Sequence, residues 1–494
     1  MMRNLSAIIA ACAFFGVEPA SAQFGRGGND WVTSGADAHR SSWIRTDPKI
    51  SKAGLEKGGF EFLWKIKINS SAPSTMMLMD RYIGYRGFRS MGYVGGNSDQ
   101  VVAFDTDLGR IEWQKRIATS TMVGNSPNCP GGMTSNLART SSTAFPVSGG
   151  IQGGGGGRGG PAKSGVGEPN EGAVTLSVVL PNQPQQAVPP RPRPAGGGPP
   201  RRMPNYVYAI SSDGLFHSMY VSNGEEPKPA VPFLPAKANA SGLIVIDEFA
   251  YVATSEGCGG ASDGVWALDI ASGKVANWQS TSGGVVGAMG PAFGPNGTVY
   301  AATQKGDLVA LEPKTLVVKS KYASGQELTS SPLIFQHKNK TMIAVSSKDG
   351  SIHILDAESL TSAVSKTPVK GAGAISSWQD AAGTRWFLTT TTSGISAWKL
   401  DENGSLVSGW TSREMLSPLT PTILNGVIFA VAGGNRTTPA VLYALDSATG
   451  KELWSSGKTI TSYVKGIGIS GSGSQLYVSS YDGNVYAFGY PLEH

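Results

Sequence analysis

The stretch Val441-Leu442-Tyr443-Ala444-Leu445-Asp446-Ser447-Ala448-Thr449-Gly450-Lys451-Glu452-Leu453-Trp454 decides the fold. It reads as an alternating strand, a five-residue turn and a second strand that ends on tryptophan. Earlier copies are Val101-Val102-Ala103-Phe104-Asp105 with Gly109 and Trp113, and Val265-Trp266-Ala267-Leu268-Asp269 with Gly273 and Trp278. Weaker copies centre on Ser218, Ala310, Ile354, Ala397 and Ala487. From Ser218 onward the centres are 49, 43, 44, 43, 47 and 43 residues apart. That spacing suits four-stranded propeller blades, which repeat at about 40–45 residues.

The residues before each centre repeat too. Gln475 to Gly483, Thr341 to Gly350, Asn205 to Gly214 and Thr298 to Gly306 are β-branched or aromatic strands closed by Asp-Gly or Lys-Gly. Such dipeptides supply the positive φ that a tight hairpin needs. One strand earlier, Asn296-Gly297 and Asn425-Gly426 mark another hairpin. Each unit is therefore four strands joined by three turns. In the five-residue turn, Asp105, Asp269 or Asp446 bonds its own backbone, and Gly109, Gly273 or Gly450 takes the left-handed position. Ala444 keeps its strand thin, leaving room for a ring from a neighbouring blade. Trp64, Trp113, Trp278 and Trp454 are assigned to the gaps between blades, each burying about 150–250 Å².

Ring closure is legible as well. The last copy, Val485-Tyr486-Ala487-Phe488, has no tryptophan strand after it, and Phe60-Glu61-Phe62-Leu63-Trp64-Lys65-Ile66 supplies one from the other end of the chain. The expected fold is an all-β propeller of eight four-stranded blades over residues 60–494, closed by an N-terminal strand. Seven blades is the fallback if the copy at Ser218 is too degenerate. A closed ring removes the open edges of a linear array.

One interval is too long. Ala103 to Ser218 spans 115 residues and contains Gly153 to Gly157 and the run Pro189-Pro190-Arg191-Pro192-Arg193-Pro194. Tracts of this composition cannot bury enough apolar surface to order themselves. Two disordered insertions are expected, at about 149–172 and 182–204, with Thr175–Leu180 between them as part of blade two. Between Gly149 and Pro204 lie six basic and two acidic residues, +4 of the formal net charge of +6. The rest of the chain is close to neutral, and no aromatic residues interleave with these cations, which argues against nucleic-acid binding.

At the start, Arg3, the apolar run Leu5 to Val17 and Ala20-Ser21-Ala22 read as a secretory signal (residues 1–22) cleaved before Gln23. The destination is periplasmic or secreted, and no transmembrane span is expected. Ile9-Ala10-Ala11-Cys12 resembles a lipobox that would anchor Cys12, although the apolar run continues past it and the later cleavage site is better. Cys129 and Cys258 remain, both among glycines on loops; a disulfide and two free thiols are both open.

The recurring Ala-x-Asp-x-x-x-Gly-x-x-x-Trp, at Ala444/Asp446/Gly450/Trp454 and Ala103/Asp105/Gly109/Trp113, resembles the PQQ-like repeat of quinoprotein propellers. Asp30-Trp31, Gly35, Asp37 and Arg40-Ser41, within a lead-in at 23–59, are similar to the segment that precedes the propeller of quinoprotein alcohol dehydrogenases. The resemblance implies either of two functions. Some members are dehydrogenases using pyrroloquinoline quinone (PQQ) and calcium. Others, such as the propeller lipoprotein of the outer-membrane β-barrel assembly machine, bind proteins. The enzymes carry adjacent cysteines against the quinone, and this sequence has no Cys-Cys pair. Residues expected around the channel, Gly287 to Gly290, Thr329 to Ser331, Ala374 to Ser377 and Gly466 to Ser470, are small and uncharged, whereas Ca²⁺ takes several oxygen ligands with carboxylates among them. No family cofactor ligand carries over to a position here.

Other spellings of chemistry are weak. Gly466 to Gly471 has a dinucleotide glycine pattern but leads into a strand. Gly260-Ala261-Ser262-Asp263-Gly264 has the nucleophile-elbow spelling but sits in a hairpin. His39, His217, His337, His353 and His494 lack metal-ligand spacing. The sequence thus predicts an exported scaffold with no catalytic or metal site, binding a protein or small ligand at a propeller face. The alternative is a divergent PQQ- and calcium-dependent dehydrogenase.

Overall fold

The computed structural model describes residues 30–491 apart from 72, 85–86, 146–204, 372 and 467. The signal, Cys12, His494, both insertions and Thr175–Leu180 therefore lie outside the described residues. The chain forms eight sheets arranged as the blades of one propeller. Strands are lettered A to D from the axis outward. Blade 1 consists of Met77–Gly84, Gly87–Gly96, Gln100–Asp105 and Arg110–Arg116. All eight repeat centres fall on strand C of successive blades, including Ser218 in Leu215–Tyr220.

Blade 8 closes the ring. Its strands A to C are Ile469–Ser472, Gln475–Ser479 and Asn484–Gly489, and Glu61–Lys67 pairs antiparallel with the last of these as strand D. Blade 2 is the irregular one. Tyr206–Ile210, Leu215–Tyr220 and Val231–Pro232 form strands B to D, and the A position is held by Ala138, which exchanges backbone hydrogen bonds with Tyr208.

The hairpins follow the turn chemistry. Asp105 Oδ1 accepts from the amides of Asp107 and Leu108, Asp269 Oδ1 from Ala271 and Ser272, and Asp446 Oδ1 from Ala448. Gly109, Gly273 and Gly450 have φ of 60°, 73° and 70°. The A–B and C–D turns lie on one face, termed lower; the B–C hairpins and the connections between blades lie on the other, termed upper.

The tryptophans hold neighbouring blades together, with one correction to the sequence reading. Alanine does not make room for a ring from the next blade; it stands directly opposite the tryptophan of its own blade. Ala103 pairs with Trp113, Ala397 with Trp410, Ala444 with Trp454 and Ala487 with Trp64. From there the indole reaches forward onto the C–D turn of the following blade. A Cβ on Gly109 would lie 2.5 Å from Trp64, one on Gly224 2.7 Å from Trp113, and one on Gly450 2.2 Å from Trp410. Each indole N–H also donates to the carbonyl three residues before that glycine: Trp64 to Thr106, Trp113 to Val221 and Trp410 to Ser447. The turn glycine thus meets two demands, a left-handed backbone and a bare surface for a ring. Trp278 follows Gly273 by five residues rather than four; it pairs with Val265 and packs against the apolar seam between blades 3 and 4. Trp454 meets Phe60 edge-on at 4.9 Å, at the closure seam.

Apolar burial follows the same ring. Among the described residues the core is seven clusters, each between adjacent blades, with the seams on both sides of blade 8 fused into one. Among the described residues only Lys52–Lys57 is an α-helix; it is capped by Ser51 and tied to blade 7 by Lys52 to Asp446 at 2.5 Å.

Two substitutions separate the glycine's two roles. Gly457 has φ 54° with open space at its Cβ position. Gly457→Ala is expected to cost about 1 kcal/mol, the left-handed penalty alone. Gly450→Ala adds overpacking against Trp410 and should cost about 2–4 kcal/mol in urea unfolding.

Candidate functional site: the propeller axis

A blade's strand A presents an unpaired backbone edge to the axis, and buried N–H and C=O groups need partners. Residues 30–47 supply them around the whole ring. Trp31 exchanges backbone bonds with Leu78 of blade 1. The Val32 carbonyl accepts from Arg139 in blade 2. Thr33 Oγ1 donates to Leu243 O of blade 3 at 2.6 Å. The carbonyls of Ala38, His39, Ser41 and Ser42 then accept from Phe293, Ile334, Ser377 and Ile423 in blades 4, 5, 6 and 7. Trp43–Ile44 adds a short parallel strand to blade 7. Finally the Asp47 carboxylate takes the amide and hydroxyl of Ser474 in blade 8, each at 2.8 Å. The segment is an axle that touches every blade.

Its shape is specified by the residues that resemble the quinoprotein lead-in. Asp37 Oδ1 accepts from the amides of His39 and Ser41, and Oδ2 from the Ser41 hydroxyl at 2.6 Å. Gly35, at φ 73°, lies so close to Met289 that a Cβ would come within 2.5 Å of its sulfur. Ala36, Arg40 and Ser42 also have positive φ, an unfavourable state for side-chain residues. Arg40 is fully buried. Its guanidinium donates to the carbonyls of Pro291, Ser34 and Gly242 and to Thr33 Oγ1, at 2.7–2.9 Å. Burial lowers its pKa to about 9, against a smaller opposing pull from Asp37. The lower end is covered further by residues 138–145: Ser141 bonds to Val245, Thr143 to Pro295, and Phe145 stacks on His39 at 4.2 Å.

The upper mouth carries hydroxyls. Ser330, Ser331, Ser376, Ser377 and Ser470 are buried there, and the hydroxyls of Thr329, Ser331, Ser376 and Ser470 have no protein partner among the described residues. Among those residues no group of three or more His, Cys, Asp or Glu side chains is placed to hold a metal ion. The donor set thus fits ordered water better than Ca²⁺, which calls for carboxylates. The Asp37 and Asp47 carboxylates are engaged in folding the axle. These residues do not fit a calcium–quinone pair, and no step is derived through one.

Two side-chain relays look catalytic. Ser211 Oγ lies 2.9 Å from His217 Nε2, whose Nδ1 is 3.1 Å from Glu226. The same relay recurs in blade 5, where Ser347 meets His353 Nε2 at 2.9 Å and Tyr322 meets Nδ1 at 2.8 Å. There the tyrosine donates to Nδ1, Nε2–H donates to Ser347, and Ser347 donates to Asp349 in its own hairpin. A serine whose proton goes to its hairpin carboxylate is not activated by the histidine. In blade 2 the Nδ1–H of His217 faces Glu226, and its Nε2 competes with the hairpin carboxylate of Asp213 for the single proton of Ser211. The repetition marks a blade-building device. His337 lies at the end of a blade 5 strand, away from both relays.

Cys129 and Cys258 are joined, with Cα atoms 5.4 Å apart, linking the connection between blades 1 and 2 to the upper hairpin of blade 3. Ser262, in the elbow-like spelling, lies in that hairpin, and its carbonyl accepts from Thr254. Sequence reasoning missed Trp410, Arg40's hydrogen-bonding role and the axle itself.

With this geometry the class of protein is an eight-bladed propeller built on tryptophan docking between blades. Residues 348–490 match the family described as outer membrane protein assembly factor BamB. The fold is similar to quinohemoprotein alcohol dehydrogenase from Comamonas testosteroni, with 13% identity over 94% of this chain and 81% of that one and a TM-score of 0.56. It is also similar to the computationally designed Ika8 protein, with 12% identity over 87% and 99% and a TM-score of 0.54. BamB from Moraxella catarrhalis aligns at 13% identity over 88% and 99%, with a TM-score of 0.47, too low to carry weight. At these identities the likeness is one of fold alone. No curated protein matches the sequence. The chain thus has an eight-bladed propeller fold, and its residues 348–490 match a PQQ-like-repeat family model.

The relays give a pH dependence. Burial holds the pKa of His217 and His353 below the ordinary value, in His217 against Glu226 and in His353 against Asp349. The native state keeps both rings neutral, while the unfolded chain protonates them near pH 6.5. Their contribution is present above that pH and lost as pH falls below it. The melting temperature should therefore drop from pH 7.5 to 5.5, and drop less in His353→Gln.

Proposed function

We propose that the protein is an exported, non-catalytic propeller that binds a protein or ligand through the loops of its upper face. The observation that carries this reading is the axle: residues 30–47 run through the axis and hydrogen-bond to all eight blades, placing the chain itself where an axial ligand would sit. Hydroxyls rather than carboxylates at the upper mouth support the same reading. The family matched by residues 348–490, an outer membrane protein assembly factor, accords with a partner-binding role. Export is supported by the signal-like residues 1–22 and by the Cys129–Cys258 bond, since disulfides persist in oxidising compartments.

Calorimetric titration with PQQ and Ca²⁺, beside dye-linked oxidation of alcohols and sugars, tests the proposal. The expected result is no saturable micromolar binding and no turnover by well-folded protein. Saturable binding with turnover overturns it in favour of a quinone-dependent dehydrogenase.

A further inference from the structure

The upper hairpins of blades 2, 5 and 8 share one construction. In each, a serine hydroxyl bonds the aspartate two residues on: Ser211 to Asp213, Ser347 to Asp349 and Ser480 to Asp482. In each, glycine follows at positive φ: Gly214, Gly350 and Gly483. The residue between serine and aspartate differs from blade to blade. It is exposed as Lys348 in blade 5 and as Gln304 in the related blade 4 hairpin, whereas in blade 2 it is Ser212, buried and bonded to Asp99. In blade 8 it is Tyr481, 37% exposed. The fold does not call for an aromatic ring there.

Tyr481 is also set in place. Its amide donates to the Tyr463 carbonyl, and the two rings stack at 4.6 Å and 20°. Lys465 Nζ stands 5.5 Å from the Tyr481 ring centre. Arg436, on the upper hairpin of blade 7, interacts with the Tyr463 hydroxyl. Among the described residues neither cation is ion-paired. Asp482, the carboxylate beside Tyr481, is occupied by Ser480 and Asn484. Leu416, 47% exposed, adjoins through its carbonyl, which accepts from Gly434 in that same blade 7 hairpin.

Stacked tyrosines, unpaired cations and an exposed leucine are the ingredients of an interface anchor, where tyrosine and arginine carry much of the binding energy. Cations over aromatic faces attract carboxylates while the rings take apolar groups. We propose that Tyr463, Tyr481, Leu416, Arg436 and Lys465 form a docking surface for an acidic protein segment that carries an aromatic or aliphatic side chain. Leucine at the edge favours a peptide over an acidic polysaccharide, which has no aliphatic side chain to bury there. The inference rests on the partner-binding reading and names where the partner sits.

The test pans a phage-displayed library of random dodecapeptides on the full mature protein, then measures selected synthetic peptides by calorimetry. Enriched peptides should combine Asp or Glu with an aromatic or aliphatic residue and weaken as salt rises. Tyr481→Ser, which keeps the Ser480–Asp482 turn and alters only an exposed side chain, should leave melting unchanged; it is expected to weaken binding by about tenfold or more, as is Arg436→Ala combined with Lys465→Ala. Peptides unaffected by these substitutions, or without acidic bias, overturn this surface while leaving the scaffold reading in place. So does an empty selection, and so does alginate binding that Tyr481→Ser abolishes. Quinone turnover would instead defeat the scaffold reading itself.

Discussion

Eight sheets standing around an axis leave eight inner backbone edges, and those buried edges must be paired with something. Here a single segment, residues 30–47, pairs them. The consequences run outward. The segment needs left-handed turns at Gly35, Ala36, Arg40 and Ser42 to swing from one blade to the next. It needs a long side chain with several donors to satisfy carbonyls from three directions, and Arg40 fills that role. A buried guanidinium without a direct carboxylate contact is tolerable because its N–H groups donate to carbonyl and hydroxyl oxygens.

Outside the axis, the unit of cohesion is a ring on a glycine. Alanine in strand C lets tryptophan in strand D lie flat, and the indole reaches the following blade's turn, where it gains an apolar surface and a carbonyl together. At three seams, blade 8 to 1, 1 to 2 and 6 to 7, this joins neighbouring blades by contacts that strand pairing within a blade does not provide. The N-terminal strand extends the device across the closure, because Trp64 docks on Gly109 of blade 1. Where blade 2 has only Val231–Pro232 as its outer strand, a Cβ on Gly273 would lie 3.5 Å from Val231, and the Cys129–Cys258 bond spans the blade 2 and blade 3 region instead.

The propeller, its eight centres and its closure by Phe60 to Ile66 were legible because each rests on local rules that recur: alternation, turn glycines and a fixed tryptophan spacing. Trp410 escaped because it follows Gly404 by six residues rather than the four that separate Gly450 from Trp454. Ala138 escaped because one bridging residue has no periodicity. The axle was visible only as a resemblance; its bonds join residues some 45 to 430 positions apart, which no spacing in residues 30–47 encodes. The Tyr463–Tyr481 stack was hidden for a similar reason, since it depends on two loops meeting. Asp37 and Arg40-Ser41 were singled out in the sequence, yet only their geometry shows that they serve the axis.

Hydrogen exchange read at single amides tests the axle most directly. The amides of Phe293, Ile334, Ser377 and Ile423 donate to carbonyls of residues 38–42, not to a strand of their own sheet. If the segment is an integral axle, these four amides exchange as slowly as Phe429 in the middle of blade 7, through global opening. Exchange at open-chain rates for the four, with Phe429 still protected, would contradict the account and leave the axis free for a ligand.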